Sequence, residues 1–196
     1  EAGRRMEDYL ELIRLDPQWR CFFEDGSALD LMQDTNAMAK TLDQFSPGKN
    51  SGASYLDFIA LSKRLHEISE RFFFYKPIGG LRDMFDFKTS FDPKILGDVL
   101  AMRMGSSVAG TVRKFTPDPR VAQMIDHFTQ YVGSSPDASP AVLCGIANMQ
   151  TTEGIWYPMG GTAAVPRALA KLATELGVQF RTSTKIEKIL THNGEV

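Results

Sequence analysis

Apolar residues recur at helical spacing through the middle of the chain. From Tyr55 to Phe74 they stand at positions 55, 58, 59, 61, 65, 68 and 72, which predicts an amphipathic helix with one buried face. Asp34 or Thr35 is placed to cap a shorter helix that runs to Phe45. The turn-forming run Ser46-Pro47-Gly48 would end that helix.

Three further helices are predicted from Asp-Pro and Ser-Pro pairs, because Asp and Ser cap helices and Pro suits the first turn. They span residues 92 to about 115, 118 to about 131 and 139 to about 149. Small residues between Gly105 and Gly110 predict a break within the first of them. Residues 35–149 are therefore predicted to be mainly helical.

Strand-like patterns flank this helical region. Trp19–Phe23 and Ala28–Met32 surround Glu24-Asp25-Gly26-Ser27, which predicts a β-hairpin with a four-residue loop. Towards the other end, Val178–Arg181 and Lys185–Leu190 have the apolar and β-branched content of strands. The pattern thus places β structure on both sides of a large helical insertion.

The segment from Gly154 to Thr162, GIWYPMGGT, is the most informative part of the chain. Glycine adopts positive φ freely and lets a backbone lie against a neighbour without an intervening Cβ. Gly160 and Gly161 therefore predict close packing of this turn, against either the protein core or a large planar ligand. We expect Thr162 to cap the following helix and Gly177 to end it.

Both ends of the chain have patterns that continue beyond it. The first residues have a helix-like spacing at Met6, Tyr9, Leu10 and Ile13. At the other end Asn193-Gly194 is a strong hairpin signal without a returning strand. We expect the chain to be a piece of a longer protein.

Composition excludes several classes of function. The 22 basic and 24 acidic residues nearly balance, so no general electrostatic attraction to nucleic acid is expected. Cys21 and Cys144 lie too far apart in sequence for a metal motif and are too few for a disulfide framework. The three histidines do not have the spacing of metal ligands. No run of 18 apolar residues predicts a membrane-spanning helix. A cytoplasmic location is the simplest interpretation.

Four segments, in this order, make the chain resemble the bacterial-type phytoene (carotenoid) desaturases of the flavin amine-oxidase-like superfamily. They are Ala2–Pro17, Trp19–Met32, Asp118–Pro140, and Gly154–Gly161 with the helix and Gly177-Val178 that follow. The resemblance covers nearly all of the chain and is weakest over residues 81–115. The family's N-terminal glycine-rich dinucleotide motif has no counterpart in these residues.

The resemblance implies an α+β fold, the substrate domain of an FAD-linked, amine-oxidase-like enzyme, with a small mixed or antiparallel sheet and a large helical insertion. Residues 1–34 and 150–182 would supply the β-sheet parts. Residues 35–149 would form the helical region that contacts substrate and membrane. Residues 183–196 would be a partial strand and turn of the FAD-binding domain.

The resemblance also implies the activity, an FAD-dependent desaturation of a long apolar polyene, with the rest of the same polypeptide as partner. Catalytic side chains stay unassigned, because a flavin would remove hydrogen from unactivated carbons and acids and bases do this poorly. The expected FAD contacts are Gly160, Gly161 and the backbone of Ile186. Location would be cytoplasmic, with peripheral contact to the inner membrane.

A polyene requires an elongated apolar cavity, and the chain has 9 Met and 13 Phe that could line one. The expected substrate contacts are Phe73, Met84, Phe85 and Trp156. Residues 72–91 also mix aromatic with basic side chains, which is typical of a segment at a membrane interface.

Two alternatives remain open at this point. One is another flavin enzyme of the superfamily, of the retinol saturase, carotenoid isomerase or amine oxidase type; a polar or aromatic-caged pocket would favour an amine oxidase. The other is a non-catalytic helical module that binds a lipid or a protein partner.

Overall fold

The chain contains two compact units that differ in how much apolar surface they bury. The computed structural model describes residues 2–70, 97, 102–103 and 105–192. Unit 1 consists of Glu1–Arg14 and Trp156–Val196, and unit 2 of Leu15–Ile155.

The described elements are short strands and helices. In chain order they are β1 (Leu12–Arg14), β2 (Trp19–Phe22), β3 (Ala28–Leu31), α1 (Thr35–Phe45), α2 (Ser51–Ser69), α3 (Val108–Val112), α4 (Pro119–Asp126), α5 (Ile146–Glu153), β4 (Trp156–Pro158) and α6 (Ala164–Glu175). Short 3-10 helices occupy Met6–Asp8, His127–Val132 and Ala141–Gly145. Strands β1 and β4 form one antiparallel pair and β2 and β3 another, so the α+β class is confirmed.

The predicted hairpin is present in unit 2. Strands β2 and β3 pair in the register Trp19↔Leu31 to Phe22↔Ala28. The amide of Phe23 donates to the carbonyl of Ser27, at 3.0 Å, and closes the loop. Leu29 and Leu31 are buried, so one face of the hairpin packs on the helical core.

Helix α1 forms as its sequence pattern predicts, and α2 does so over Ser51–Ser69, while residues 71–74 of the predicted span lie outside the described residues. The Asp34 carboxylate accepts a hydrogen bond of 2.7 Å from the amide of Ala37, which satisfies one of the free N–H groups at the start of α1. The buried face of α2 carries Tyr55, Phe58 and Leu65, in the expected register. These side chains belong to a single cluster with residues of β3, α1, α3, α4 and α5.

The later helices are shorter than predicted. The break after Gly105 is confirmed, since α3 begins only at Val108 and Ser107 caps it. The helix predicted over 118–131 is α-helical to Asp126 and then 3-10. The one predicted over 139–149 begins as a 3-10 turn before α5. The helix start predicted at residue 92 lies outside the described residues.

Two patterns were misread because strands depend on distant partners. The helix-like spacing from Met6 to Ile13 becomes a 3-10 turn followed by β1, since β4 pairs Leu12 with Pro158. The predicted strands Val178–Arg181 and Lys185–Leu190 are not strands here. A strand needs a neighbour for its N–H and C=O groups, and no described segment supplies one to them.

A buried carboxylate fixes the start of α4. Asp118 is 1% exposed and accepts hydrogen bonds from Ser46 Oγ at 2.7 Å, Lys49 Nζ at 3.1 Å and Arg120 Nη2 at 3.2 Å. Burial alone would raise the pKa of this carboxyl group. The hydrogen bonds from Arg120, Ser46 and Lys49 outweigh burial and lower its pKa well below the usual range.

The Arg120 side chain extends this cluster to the hairpin. Its Nη1 atom lies 2.8 Å from the carboxylate of Asp25 and 3.3 Å from Ser27 Oγ, both in the hairpin loop. Its guanidinium carbon lies 4.3 Å from the ring centroid of Phe45, at the end of α1. Three separate segments of unit 2 are therefore held by one cationic group.

Helices α1 and α2 approach each other at a glycine. An ideal Cβ on Gly52 would lie 2.4 Å from the carbonyl oxygen of Ala39 and 2.6 Å from an Asp43 carboxylate oxygen. The nearest of these atoms belongs to the backbone of α1 and cannot rotate away.

Gly52→Ala should therefore lower the free energy of unfolding by about 1–3 kcal/mol, because α1 has to shift to admit the methyl group. Gly105→Ala is the matched control, since its position is exposed and no atom of the described residues lies within 4 Å of an added Cβ. Urea denaturation of the chain, followed by circular dichroism, measures both. Equal stability of the two variants would contradict the close approach.

Asp118→Asn should lower the free energy of unfolding at neutral pH by about 2–3 kcal/mol, since Arg120 and Lys49 lose their charged partner. The folded-state pKa of Asp118 is lowered, so its stabilisation is complete above the unfolded value of about 4 and is lost as the pH falls towards the folded value. The variant should lack this part of the acid-dependent loss. Asp57→Asn, at an exposed site, serves as control; matching acid profiles for both variants would argue against the cluster.

Candidate functional site

The β1–β4 pair presents Trp156 at the surface of unit 1. Trp156 lies opposite Arg14 in the register, and the guanidinium carbon lies 5.5 Å from the indole centroid. Trp156 is 47% exposed and its neighbour Tyr157 is 45% exposed. Trp156 is therefore not a core side chain of this unit, and part of its ring is exposed beside the Arg14 guanidinium.

The Gly-Gly turn directly follows β4. The amide of Gly161 donates to the carbonyl of Pro158 at 2.9 Å, and the φ angles of Gly160 and Gly161 are +82° and +80°. An ideal Cβ would first meet Arg167 at 3.7 Å on Gly160 and Tyr157 at 4.0 Å on Gly161. The left-handed backbone, and not crowding by described residues, is what requires glycine here.

Two explanations were offered for the turn, packing against the core or against a large planar ligand. Tight packing against the core is absent among the described residues, because an added Cβ would make only ordinary van der Waals contacts with Arg167 or Tyr157. A planar ligand against this backbone stays a prediction. The predicted cap Thr162 is also wrong: Ala163 holds the cap position, and the first amides of α6 bond to the turn, Ala164 to Gly161 and Val165 to Thr162.

Helix α6 carries an uncovered apolar face. It contains no buried residue, and Leu169 is 61% exposed. A groove of about 300 Å³ runs between this face and the first residues of the chain, where Met6 and Leu10 face Leu169 and Leu172. The hydroxyl of Tyr9 donates to a Glu175 carboxylate, which fixes the N-terminal segment beside the helix.

Unit 1 buries almost nothing by itself. Pro158 is its only buried residue within the part that the structure describes. Large apolar side chains are exposed throughout, including Ile13, Trp156, Met159, Leu176, Val178, Phe180, Ile186, Ile189 and Leu190. So many exposed apolar side chains in one unit favour an interface with another part of a protein or with a ligand.

The other predicted site residues have mixed placements. Ile186 is 70% exposed, in a segment without regular structure, and is in the same unit as the Gly-Gly turn. Phe73, Met84 and Phe85, and the segment 72–91 as a whole, lie outside the described residues. The structure therefore places Trp156 and the two glycines next to each other. The proposed contacts of Ile186, Phe73, Met84 and Phe85 stay predictions.

Unit 2 contains an apolar groove that sequence reasoning missed. Its volume is about 410 Å³, and its walls include Val132, Leu143, Ile146 and Met149. These residues come from a 3-10 turn, a second 3-10 turn and α5. No pattern in the sequence could have revealed the groove, because its walls meet only in the folded chain.

Reactive side chains are few in this framework. Burial raises the pKa of the Cys144 thiol to about 12, so the thiol stays protonated at neutral pH. Burial also lowers the pKa of His127, whose ring stacks on Trp19 at 4.9 Å between centroids. Among the residues described, no group of three or more His, Cys, Asp or Glu could hold a metal ion. The described part of the chain contains no helix of the length and apolarity needed to cross a membrane.

Comparison with known proteins identifies what the chain is similar to. Residues 3–196 match the family model for flavin containing amine oxidoreductases. The chain is 35% identical over 193 residues to a 4,4'-diapolycopene oxygenase of Methylomonas sp, covering 98% of this chain and 37% of that protein.

Two further relatives carry desaturase names. A zeta-carotene-forming phytoene desaturase of Myxococcus xanthus is 36% identical over 193 residues, 98% of this chain and 36% of that protein. A carotenoid 3,4-desaturase of Haloarcula japonica is 30% identical over 191 residues, 95% of this chain and 36% of that protein. The chain thus spans little more than a third of the length of the curated relatives it matches.

Gly161→Val should lower the melting temperature of the intact protein and its content of bound flavin. A β-branched residue at φ near +80° strains the turn by roughly 1–3 kcal/mol, and its side chain would occupy the space between the backbone and Tyr157. Thr162→Val introduces the same side chain at the next residue, which has no positive φ, and should change little. Thermal denaturation and the visible flavin absorbance test this; an unaltered Gly161→Val protein would contradict our account of the turn.

Proposed function

The chain belongs to the flavin-containing amine oxidoreductase family, and we propose that it is the substrate-side part of an FAD-dependent enzyme that desaturates a long apolar polyene. The observation that carries this proposal is the exposed apolar surface of unit 1 around Trp156, next to the loosely packed Gly-Gly turn. The names of the relatives supply the substrate class, since all three refer to carotenoids or their precursors.

Desaturation of a hydrocarbon places particular demands on the protein. When bound, the flavin supplies the two-electron oxidation that side-chain acids and bases do poorly. The tasks left to this chain are to bind the apolar substrate, to orient one of its carbon–carbon bonds and to exclude water. The cysteine that burial keeps protonated and the apolar surfaces fit a binding role better than bond chemistry.

Gly160, Gly161 and Ile186 are the proposed FAD contacts. No described residue packs tightly beside either glycine, which supports room for a flat or extended group against the backbone, and Ile186 is exposed in the same unit. These features are compatible with the cofactor without defining its position. Any larger residue at the glycines would remove the space that supports the proposal.

Trp156 is the proposed substrate contact within unit 1. Its indole is exposed, is held against the Arg14 guanidinium and presents a large apolar area at low cost in side-chain entropy. Phe73, Met84 and Phe85 are proposed as further substrate contacts on their apolar character alone. For residues 72–91 we propose peripheral contact with a membrane, since they combine aromatic and basic side chains.

The proposed partner of unit 1 is the FAD-binding part of the same polypeptide. Unit 1 has an uncovered helix face and a single buried residue in its described part, and the relatives are almost three times as long as this chain. In this proposal residues 183–196 belong to the FAD-binding domain, 1–34 and 150–182 to the sheet of the substrate domain, and 35–149 to the helical region.

A second candidate is oxygenation of the same class of substrate, because one of the three relatives is named as an oxygenase. Both activities need an apolar polyene site and a flavin. They differ in whether oxygen enters the product.

Turnover by the intact protein tests the proposal directly. The purified protein with FAD should convert phytoene in liposomes to products that are two mass units lighter for each new double bond. Products that gain oxygen would favour the second candidate. A protein that retains flavin and oxidises a soluble amine, but no polyene, would overturn the proposal.

The docking of α6 can be tested separately. Leu169→Asp should lower the melting temperature of the intact protein and release flavin, since a buried Leu contributes about 1.5–3 kcal/mol and a buried carboxylate costs more. Thr174→Asp places the same charge on another side of α6 at an exposed position. Equal effects of the two variants would show that the face is not covered by the rest of the polypeptide.

A further inference from the structure

The apolar groove of unit 2 is bounded by three segments, the end of α2, residues 131–132 and residues 142–149. The last turns of α2 form one side, next to Val132 at the end of a 3-10 helix. Leu143, Ile146 and Met149 form the other side. Tyr131, Val132 and Met149 are 53%, 51% and 39% exposed, so the groove opens to the surface.

The walls of the groove are held against α2 by hydrogen bonds and close backbone contact. The Ser62 hydroxyl donates to the carbonyl of Cys144 at 2.6 Å and accepts from the amide of Asn148 at 2.7 Å. An ideal Cβ on Gly145 would lie 3.0 Å from the amide nitrogen of His66, so the backbones almost touch there. A preformed groove binds a ligand without first ordering its own walls.

The polar side chains at the edge of the groove already have partners within the protein. The Ser69 hydroxyl donates to the carbonyl of Leu65 at 2.8 Å, and the Tyr131 hydroxyl donates to Gln150 Oε1 at 2.8 Å. His66 lies 3.8 Å from the carboxylate of Glu70, one turn along α2. A polar ligand would therefore lose its bonds to water here without an equivalent replacement.

We propose that this groove binds the hydrocarbon chain of the polyene substrate. The identity of the ligand rests on the proposed function. Its apolar character is inferred from the apolar lining of the groove and from the polar side chains at its edge, which already have partners within the protein. A volume of about 410 Å³ is within the range of small-molecule sites, which bury most of an apolar ligand. An acyl chain of a membrane lipid has the same chemistry, so the test must distinguish the two sources.

Direct binding to the intact protein tests the groove. The probe is diphenylhexatriene, a rod-shaped polyene whose fluorescence rises in an apolar site. Val132→Gln together with Met149→Gln should weaken its binding about tenfold, because the ligand would cover two amides that then lose water. Leu56→Gln is the matched control, since Leu56 is 36% exposed on α2 and does not line the groove. All the altered positions are partly exposed, so folding should be preserved.

The outcomes separate this proposal from the function on which it rests. Equal probe affinity in the double variant and the control would contradict polyene binding in the groove, whether or not the protein turns over phytoene. Displacement of the probe by phytoene would support it. Displacement by dioleoylphosphatidylcholine vesicles but not by phytoene would assign the groove to lipid chains and overturn it.

Kinetics give the second comparison. If the intact protein desaturates phytoene, the double variant should raise the KM about tenfold with little change in kcat. An unchanged KM would contradict polyene binding in the groove. If phytoene displaces the probe but is not converted, polyene binding in the groove is supported and the proposed desaturation is contradicted.

Discussion

The architecture of unit 2 depends on one buried carboxylate and the cation beside it. Asp118 starts α4, and its two oxygens are shared among Ser46, Lys49 and Arg120. A buried carboxylate is destabilising unless its lone pairs are satisfied, so α4 can begin only where these three donors converge. Because Arg120 also contacts the hairpin loop, the same constraint fixes the hairpin against the end of α1. The packed core of unit 2 then follows, since β3, α1 and α4 all contribute to it.

The two units meet opposite physical requirements. Unit 2 buries a continuous apolar core and can hold a preformed groove on its surface. Unit 1 leaves the apolar face of α6 and the region around Trp156 exposed. An isolated domain with so little burial would be marginal, because conformational entropy must be offset by apolar surface removed from water. We infer that unit 1 is stabilised by what covers it, and in our proposal this is the flavin and the domain that holds it.

This division suits a flavin enzyme with a hydrocarbon substrate. The cofactor performs the oxidation, so selectivity depends on where apolar side chains place the substrate. Such a site needs a complementary shape and the exclusion of water more than it needs titratable groups. At the edge of the groove beside α2, the Ser69 and Tyr131 hydroxyls already donate hydrogen bonds within the protein. The relatives with oxygenase and desaturase names act on related substrates, as expected if the binding surface is shared and the fate of the substrate is decided at the flavin.

Local signals in the sequence determined the cap of α1 at Asp34, the buried face of α2, the hairpin between Trp19 and Leu31, and the break before α3. They could do so because helix bonds, caps and tight turns join residues only a few positions apart. Tertiary structure alone decided that Leu12–Arg14 is a strand, that Gly160 and Gly161 are required by their φ angles, and that residues from three segments form a groove. Each of these depends on a partner that is distant in sequence or on a backbone angle set by the surrounding fold, and neither is encoded in the periodicity of a single segment.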